Sequence, residues 1–303
     1  MFLPAQPVLA VKTLQAIEDT LFSDQGNLFR KYLEEELPQA SDAYKQYSTN
    51  YRSHLGASLI GKECSRALWY SFHWTVNTKH SGRMIRLFNR GHLEEARFTA
   101  LLRMIGCRVW CKDDAGRQFR ISGHMKHFGG SLDGVALNVP DDPETPMLLE
   151  YKTHSDKNYR KLQDNGVRVA KPEHYIQMQN YMGGWNLTKA LYLAANKNDD
   201  DLYGEIITYD PESHERAFDR AGQIILAVEP PPKINESPSW YTCKFCDFKS
   251  VCHGGQLPAM NCRTCQFSTP GENGVWKCTR DNADLPESTQ LTGCPDYRWN
   301  PSI

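Results

Sequence analysis

Residues 147–154 read MLLEYKTH, and the fold hangs on how these eight residues lie. A short apolar run carrying a charge at every second position is a strand pattern. Side chains two apart share a face of a strand, so Glu150 and Lys152 project together while Tyr151 points the other way. Upstream, SLDGVALNV (131–139) is a second strand pattern, joined to the first by the turn-rich PDDPETP (140–146). A hairpin of these two brings Asp133 beside Glu150, and the glycines around Asp133 allow another backbone or a ligand to approach closely. Two carboxylates that close repel unless a proton or a cation intervenes, and oxygen donors beside a lysine favour Mg²⁺ or Mn²⁺. A plain salt bridge on a strand face would use the same letters.

The pattern extends in both directions. Helix is expected over residues 10–36, from Ser58 through Trp69, from about Gly82 to Gly106, over 158–165 and 172–186, and from Pro211 to Val228. Strands are expected at RVWCK (108–112), QFRIS (118–122), ALYLAAN (190–196) and YGEIITY (203–209). The order of helix, antiparallel strands, helix, two strands and helix is that of an α/β protein with a mixed sheet flanked by helices. Three regions result: a helical arm and linker over 1–50, a core over 51–255, and a cysteine-rich end over 256–303, set off by the break at Pro230–Pro232.

Wound at 100° per residue, residues 84–106 place Met84, Phe88, Gly91, Glu95, Phe98 and Leu102 on one arc. Glu95 therefore sits among apolar side chains, where a carboxylate needs a partner. That partner is either an arginine or the metal of the Asp133–Glu150 site. Glu94 falls at the edge of the arc. In PEHYIQMQNYMGGW (172–185), Gln177 and Tyr181 share a helical face with His174, and Met178, Met182 and Trp185 form a core stripe. A glutamine and a tyrosine facing a metal site can bind a phosphate or orient Lys152.

Gly91-x3-Glu95, Asp133, Glu150-x-Lys152 and Gln177-x3-Tyr181, in this order, resemble the RecB-like branch of the PD-(D/E)xK nuclease superfamily. The resemblance implies a restriction-endonuclease-like mixed sheet flanked by helices. It also implies a DNA exonuclease of recombination or end processing that leaves a 5'-phosphate. Asp133 and Glu150 would hold Mg²⁺ or Mn²⁺, with Glu95 and the backbone carbonyl of Tyr151 as further ligands. Many relatives carry His where this chain has Glu95, and His92 is a weaker substitute. Lys152 would orient the attacking water and stabilise the developing charge, while Gln177 and Tyr181 position the backbone. An endonuclease of the same superfamily, and a metal-stabilised DNA-binding adaptor without catalysis, are the alternatives.

Seven of the ten cysteines fall between 243 and 294. Cys243, Cys246 and Cys252 are spaced C-x2-C-x5-C, and Cys64 upstream supplies a fourth thiol. Four thiolates hold either a [4Fe-4S] cluster or one Zn²⁺. The pairing of an upstream cysteine with this spacing resembles iron-sulfur nucleases of the same branch, among them CRISPR-associated and AddB-type enzymes, which favours the cluster. His253 is a weaker alternative ligand. Cys262, Cys265, Cys278 and Cys294 are spaced as in a four-cysteine zinc ribbon, in a segment too short to bury a core unaided. Similar tails occur in phage recombination exonucleases. Cys107 and Cys111 are left as ordinary buried thiols.

With 40% hydrophobic and 23% charged residues among 303, the chain is an ordinary globular one and not a disordered one. The net charge is -1, yet residues 51–130 carry 14 basic and 5 acidic side chains. A basic third suits a face that binds DNA, or a solvated surface. No stretch of 18 apolar residues occurs and the N-terminus lacks a secretory pattern, so a cytoplasmic protein is expected, in the host cytoplasm if phage-encoded. A recombinase or single-strand annealing protein is the implied protein partner.

Overall fold

The computed structural model describes residues 6–44 and 51–303; residues 45–50 of the expected linker lie outside the described residues. Two compact units interleave along the chain. One comprises Met1–Gln46, His80–Ile121 and Ser131–His214, the other Tyr47–Lys79, Ser122–Gly130 and Glu215–Ile303.

The first unit is built on a six-stranded sheet. Its strands are β1 (Val8–Leu9), β2 (Arg108–Trp110), β3 (Gly134–Leu137), β4 (Met147–His154), β5 (Lys189–Asn196) and β6 (Leu202–Thr208). They lie in the order β1-β6-β5-β4-β3-β2. Only β4 and β5 run parallel, with Glu150 opposite Tyr192; the other four neighbouring pairs of the sheet are antiparallel. The expected mixed sheet flanked by helices is present. The helices of this unit are α1 (Val11–Asp24), α2 (Asn27–Glu36), α3 (Gly82–Met104), α4 (Asp156–Ala170) and α5 (Pro172–Trp185).

Alternation along β4 sorts its two faces. Met147, Leu149 and Tyr151 join Leu191, Leu193 and Ala195 of β5 in a buried layer closed by Phe98 and Leu102 of α3. Leu148, Glu150, Lys152 and His154 take the opposite face, toward α5. Burial of the apolar face of β4 fixes its register, because a slip by one residue would turn Glu150 and Lys152 into that layer. Ser81 caps α3, its side chain accepting from Met84 N at 3.3 Å.

Several boundaries differ from those expected. The helix over 10–36 is broken at Gln25 and Gly26, both with positive φ (55° and 74°), which ends α1 in a left-handed turn. The helix expected from Ser58 begins at Ser65, and the residues before it form turns. SLDGVALNV is interrupted at Leu132–Asp133, so that β3 starts only at Gly134. Arg120–Gly123 stands outside the six-stranded sheet. Trp185, expected in the core stripe, is 38% exposed, whereas Met178 and Met182 are fully buried.

In the second unit, helix Ser65–Phe72 supplies Trp69 and Phe72 to an aromatic core with Trp74 and Trp276. The buried Arg263 guanidinium lies 3.6 Å from the Trp74 ring centroid and 4.7 Å from that of Trp276. It donates to Phe72 O, Ser53 O and Gln290 Oε1 at 2.8–3.0 Å. Three short antiparallel strands, Ser268–Pro270, Trp276–Cys278 and Ala283–Leu285, form the cysteine-rich end. No helix among the described residues is long and apolar enough to cross a membrane.

Candidate active site

The break before β3 is what aims Asp133. Its Oδ2 accepts the backbone N–H of Tyr151 at 2.7 Å, which fastens this loop residue to the middle of β4 between Glu150 and Lys152. Glu150 is fully buried. Its Oε1 accepts from the Lys152 ammonium and its Oε2 from Gln177 Nε2 at 3.1 Å. Lys152 Nζ also donates to the Tyr151 carbonyl at 3.1 Å. Gln177 Nε2 lies 3.4 Å from Tyr181 Oη. One helix face and one strand face thus meet at the Glu150 carboxylate.

Glu95 reaches the same place from α3. Its carboxyl is pushed up to about 8, first by burial and then by Asp133, with Asp42 and Glu150 adding to the repulsion and Lys152 opposing it. No ion pair to an arginine forms at Glu95 among the described residues; the arginine pair belongs to Glu94, which meets Arg97 at 3.1 Å. Burial raises Asp133 too, against the pull of Lys152, the Tyr151 N–H and His92. Glu150 is pushed up to about 7, again by burial foremost. Burial works against the Lys152 ammonium, but Glu150 and Asp133 outweigh it and the lysine holds its proton more tightly than usual. One ammonium faces three carboxylates, so the cluster is short of positive charge. Solvent reaches it at Lys152, whose side chain is 25% exposed.

Two histidines and a tyrosine lie beside this centre. Tyr192, opposite Glu150 in the sheet, has its hydroxyl 2.8 Å from His154 Nε2 and 3.0 Å from His174 Nδ1. A hydroxyl has one proton, so it donates to one ring and accepts from the other. Burial, reinforced by nearby lysines, brings His154 down to about 4 and His174 to about 2, so both rings are neutral at pH 7. His154 was legible as the next residue on the Glu150–Lys152 face; Tyr192 needed the parallel pairing of β4 and β5.

The cysteines gather in two groups within the second unit. Burial raises the Cys246 and Cys252 thiols, with Cys64 and the neighbouring cysteines adding to it, and Arg66 and Lys233 oppose the effect at Cys252. Cys262, Cys265, Cys278 and Cys294 line one cavity of about 120 Å³, and the Cys262 thiol is pushed up to about 11 by burial and then by the other three. All ten cysteines are free thiols. Among the described residues no group of three or more His, Cys, Asp or Glu side chains is drawn together tightly enough to hold a metal ion as it stands. Cys107 and Cys111 pack into or against the sheet core, their thiols raised to about 12 and 11 by burial.

No family model and no curated protein matches the sequence. Solved structures similar to the chain include that of SSO0001, 14% identical, covering 75% of this chain and 97% of that one at a TM-score of 0.41. An alkaline exonuclease (LHK-Exo) from Laribacter hongkongensis is 13% identical over 64% of this chain and 90% of its own, with a TM-score of 0.39. A phage related exonuclease from Haemophilus somnus 129PT is 14% identical over 56% and 91%, with a TM-score of 0.38. Likeness this distant carries no argument about function, which rests on the chemistry of the site.

Proposed function

We propose that the protein is a metal-dependent DNA nuclease, and that Glu95, Asp133, Glu150, Lys152, Gln177 and Tyr181 form its active site. The observation that carries this is the charge deficit. Three carboxylates crowd one lysine; burial raises all three, and repulsion from neighbouring carboxylates adds to it at Glu95 and Glu150. A divalent cation is the partner that such a donor set lacks. Asp133, Glu150, Glu95 and the Tyr151 carbonyl would hold Mg²⁺ or Mn²⁺, which when bound supplies Lewis-acid polarisation of a phosphate and acidification of a water.

The chain's own groups do the rest. Lys152 keeps its proton and presents a fixed positive charge; moving from Glu150 Oε1 and Tyr151 O to a phosphate oxygen, it would stabilise the charge that develops there. Gln177 holds Glu150 Oε2, so this carboxylate keeps its orientation while Oε1 is released. The Tyr151 N–H does the same for Asp133 Oδ2. Tyr181, hydrogen-bonded to Gln177, would contact the sugar-phosphate backbone.

The two cysteine groups suit soft metals: burial and neighbouring thiols hold back ionisation at Cys246, Cys252 and Cys262, and a cation relieves that. We assign a [4Fe-4S] cluster, with Zn²⁺ as the alternative, to Cys64, Cys243, Cys246 and Cys252, and a zinc ion to Cys262, Cys265, Cys278 and Cys294. Exonuclease rather than endonuclease action, a place in recombination or end processing, and a recombinase or annealing partner rest on the family resemblance. End-labelled linear DNA and covalently closed circles, incubated with Mg²⁺, Mn²⁺ or EDTA, test the reading. Progressive loss of linear DNA with either metal, with circles intact, is expected. Rapid linearisation of circles would make the protein an endonuclease, and binding without cleavage under every metal would make it an adaptor.

A further inference from the structure

The first half of α3 is exposed on two opposite sides. Arg83, Ile85, Arg86, Phe88 and Arg90 are all exposed, Ile85 at 58% and Phe88 at 42%. The arc that is buried at Phe98 and Leu102 therefore runs out into solvent at Phe88, although the apolar pattern continues through it. Phe88 and Glu95 are seven residues apart, within about 20° of one another around the helix and roughly 10 Å along it. Phe88 is thus in line with the carboxylate cluster, with Ile85 one turn beyond it. The His80 ring meets it edge to face at 5.0 Å.

Arg83, Arg86 and Arg90 lie within about 60° of each other on the other side of the helix. Arg90 reaches the Lys197 carbonyl at 3.5 Å, and Arg83 and Arg90 both act on the Lys197 ammonium. No carboxylate pairs with these three arginines among the described residues, and none occurs in the sequence between His80 and Leu93. The acidic group on that side is Glu94, one turn beyond Arg90; it is ion-paired with Arg97, and Arg90 also draws its pKa down while Asp200 pushes it up.

We infer that this half-helix stands between the two strands of a DNA end. The strand to be cut passes on the Phe88 side and stacks a base on that ring, about three stacked nucleotides from Glu95 at 3.4 Å each. The complementary strand is led away over Arg83, Arg86, Arg90 and Lys197. An aromatic ring takes any base by its face, and arginines take phosphates without regard to sequence, so the arrangement suits a duplex end of any sequence. An apolar-only protein contact would not call for three arginines on the back of the same helix, none of them in an ion pair among the described residues. The inference rests on the nuclease reading for the path of the cut strand.

The test uses the whole protein in EDTA, so that nothing is cleaved, with 2-aminopurine placed at successive positions from the end of one strand of a duplex. Fluorescence is expected to be quenched most at one position a few nucleotides from the end. Phe88→Ala should abolish that maximum and weaken binding about fivefold or more, and Phe88→Tyr should restore both. Arg83→Gln/Arg86→Gln/Arg90→Gln should lower the salt dependence of duplex binding by about three phosphate contacts while leaving single-strand binding nearly unchanged. Wild-type quenching and affinity in Phe88→Ala, or equal losses on duplex and single strand in the triple variant, would overturn the inference. If Phe88-dependent quenching persists in a protein that cuts DNA with neither Mg²⁺ nor Mn²⁺, the nuclease reading fails and the strand-parting helix stands.

Discussion

Asp133 Oδ2 accepts the Tyr151 backbone N–H at 2.7 Å, so one carboxylate both closes a loop onto the central strand and belongs to the acidic centre. The two duties can be separated. Asn at this position keeps an acceptor for the N–H and removes a charge from a crowded group. Asp133→Asn should therefore melt at or above the wild-type temperature while losing cleavage. Asp133→Leu leaves the N–H without an acceptor and should cost about 1–3 kcal/mol. Thermal melting of the two variants decides this, and equal stability of both would contradict the bridging role.

The second unit makes a pH prediction. His73 is buried, stacked on Trp69 at 3.6 Å, and its Nδ1 lies 2.9 Å from the Trp69 carbonyl. Burial brings its pKa from 6.5 down to about 3, although the carbonyl opposes the shift. The folded ring stays neutral where the unfolded one takes a proton, so stability is full above pH 6.5 and is lost as pH falls toward 3. His73→Gln lacks this linkage. The stability advantage of wild type over the variant should shrink by about 1.4 kcal/mol per pH unit below 6.5. Urea titrations between pH 7.5 and 4.5 measure it, and a constant difference would refute the buried neutral ring.

The Arg263 guanidinium lies over the rings of Phe72, Trp74 and Trp276, and its donors meet Phe72 O, Ser53 O and Gln290 Oε1. Burial lowers its pKa to about 9, yet the charge is retained at pH 7. Arg263→Met keeps volume but strands those acceptors, so a loss of about 2–5 kcal/mol is expected. A melting temperature within a degree of wild type would show that the three hydrogen bonds contribute little.

The metal assignments separate by substitution. In protein purified without oxygen, Cys64→Ser should remove iron and sulfide and leave about one zinc, and Cys278→Ser should do the reverse. Elemental analysis with sulfide determination reads both. Two zinc ions and no sulfide in the wild type would eliminate the cluster and leave the nuclease assignment intact.

The sheet was legible because MLLEYKTH is a short apolar run with charges two apart at Glu150 and Lys152, and because the turn before it is marked by three prolines. Glu95 was legible as a charge on an apolar arc. The break at Leu132–Asp133 was not, since both strand halves carry strand-forming residues and the interruption is set by the hydrogen bond to Tyr151, a tertiary contact. The turn at Gly26 carried its own signal, a glycine in mid-pattern, but the apolar period on both sides masked it. Phe88 shows the limit of periodicity: it lies on the same arc as Phe98, and only the absence of a facing layer leaves it exposed.

The most direct test of the active-site claim is single-turnover cleavage of end-labelled linear DNA with Mn²⁺ by wild type, Glu150→Gln and Lys152→Met, each checked for folding and for DNA binding. Loss of cleavage by at least about a thousandfold in both variants, with binding within a few fold of wild type, is predicted from the removal of an acidic donor and of the positive charge at the phosphate. Wild-type rates in folded Lys152→Met would contradict it.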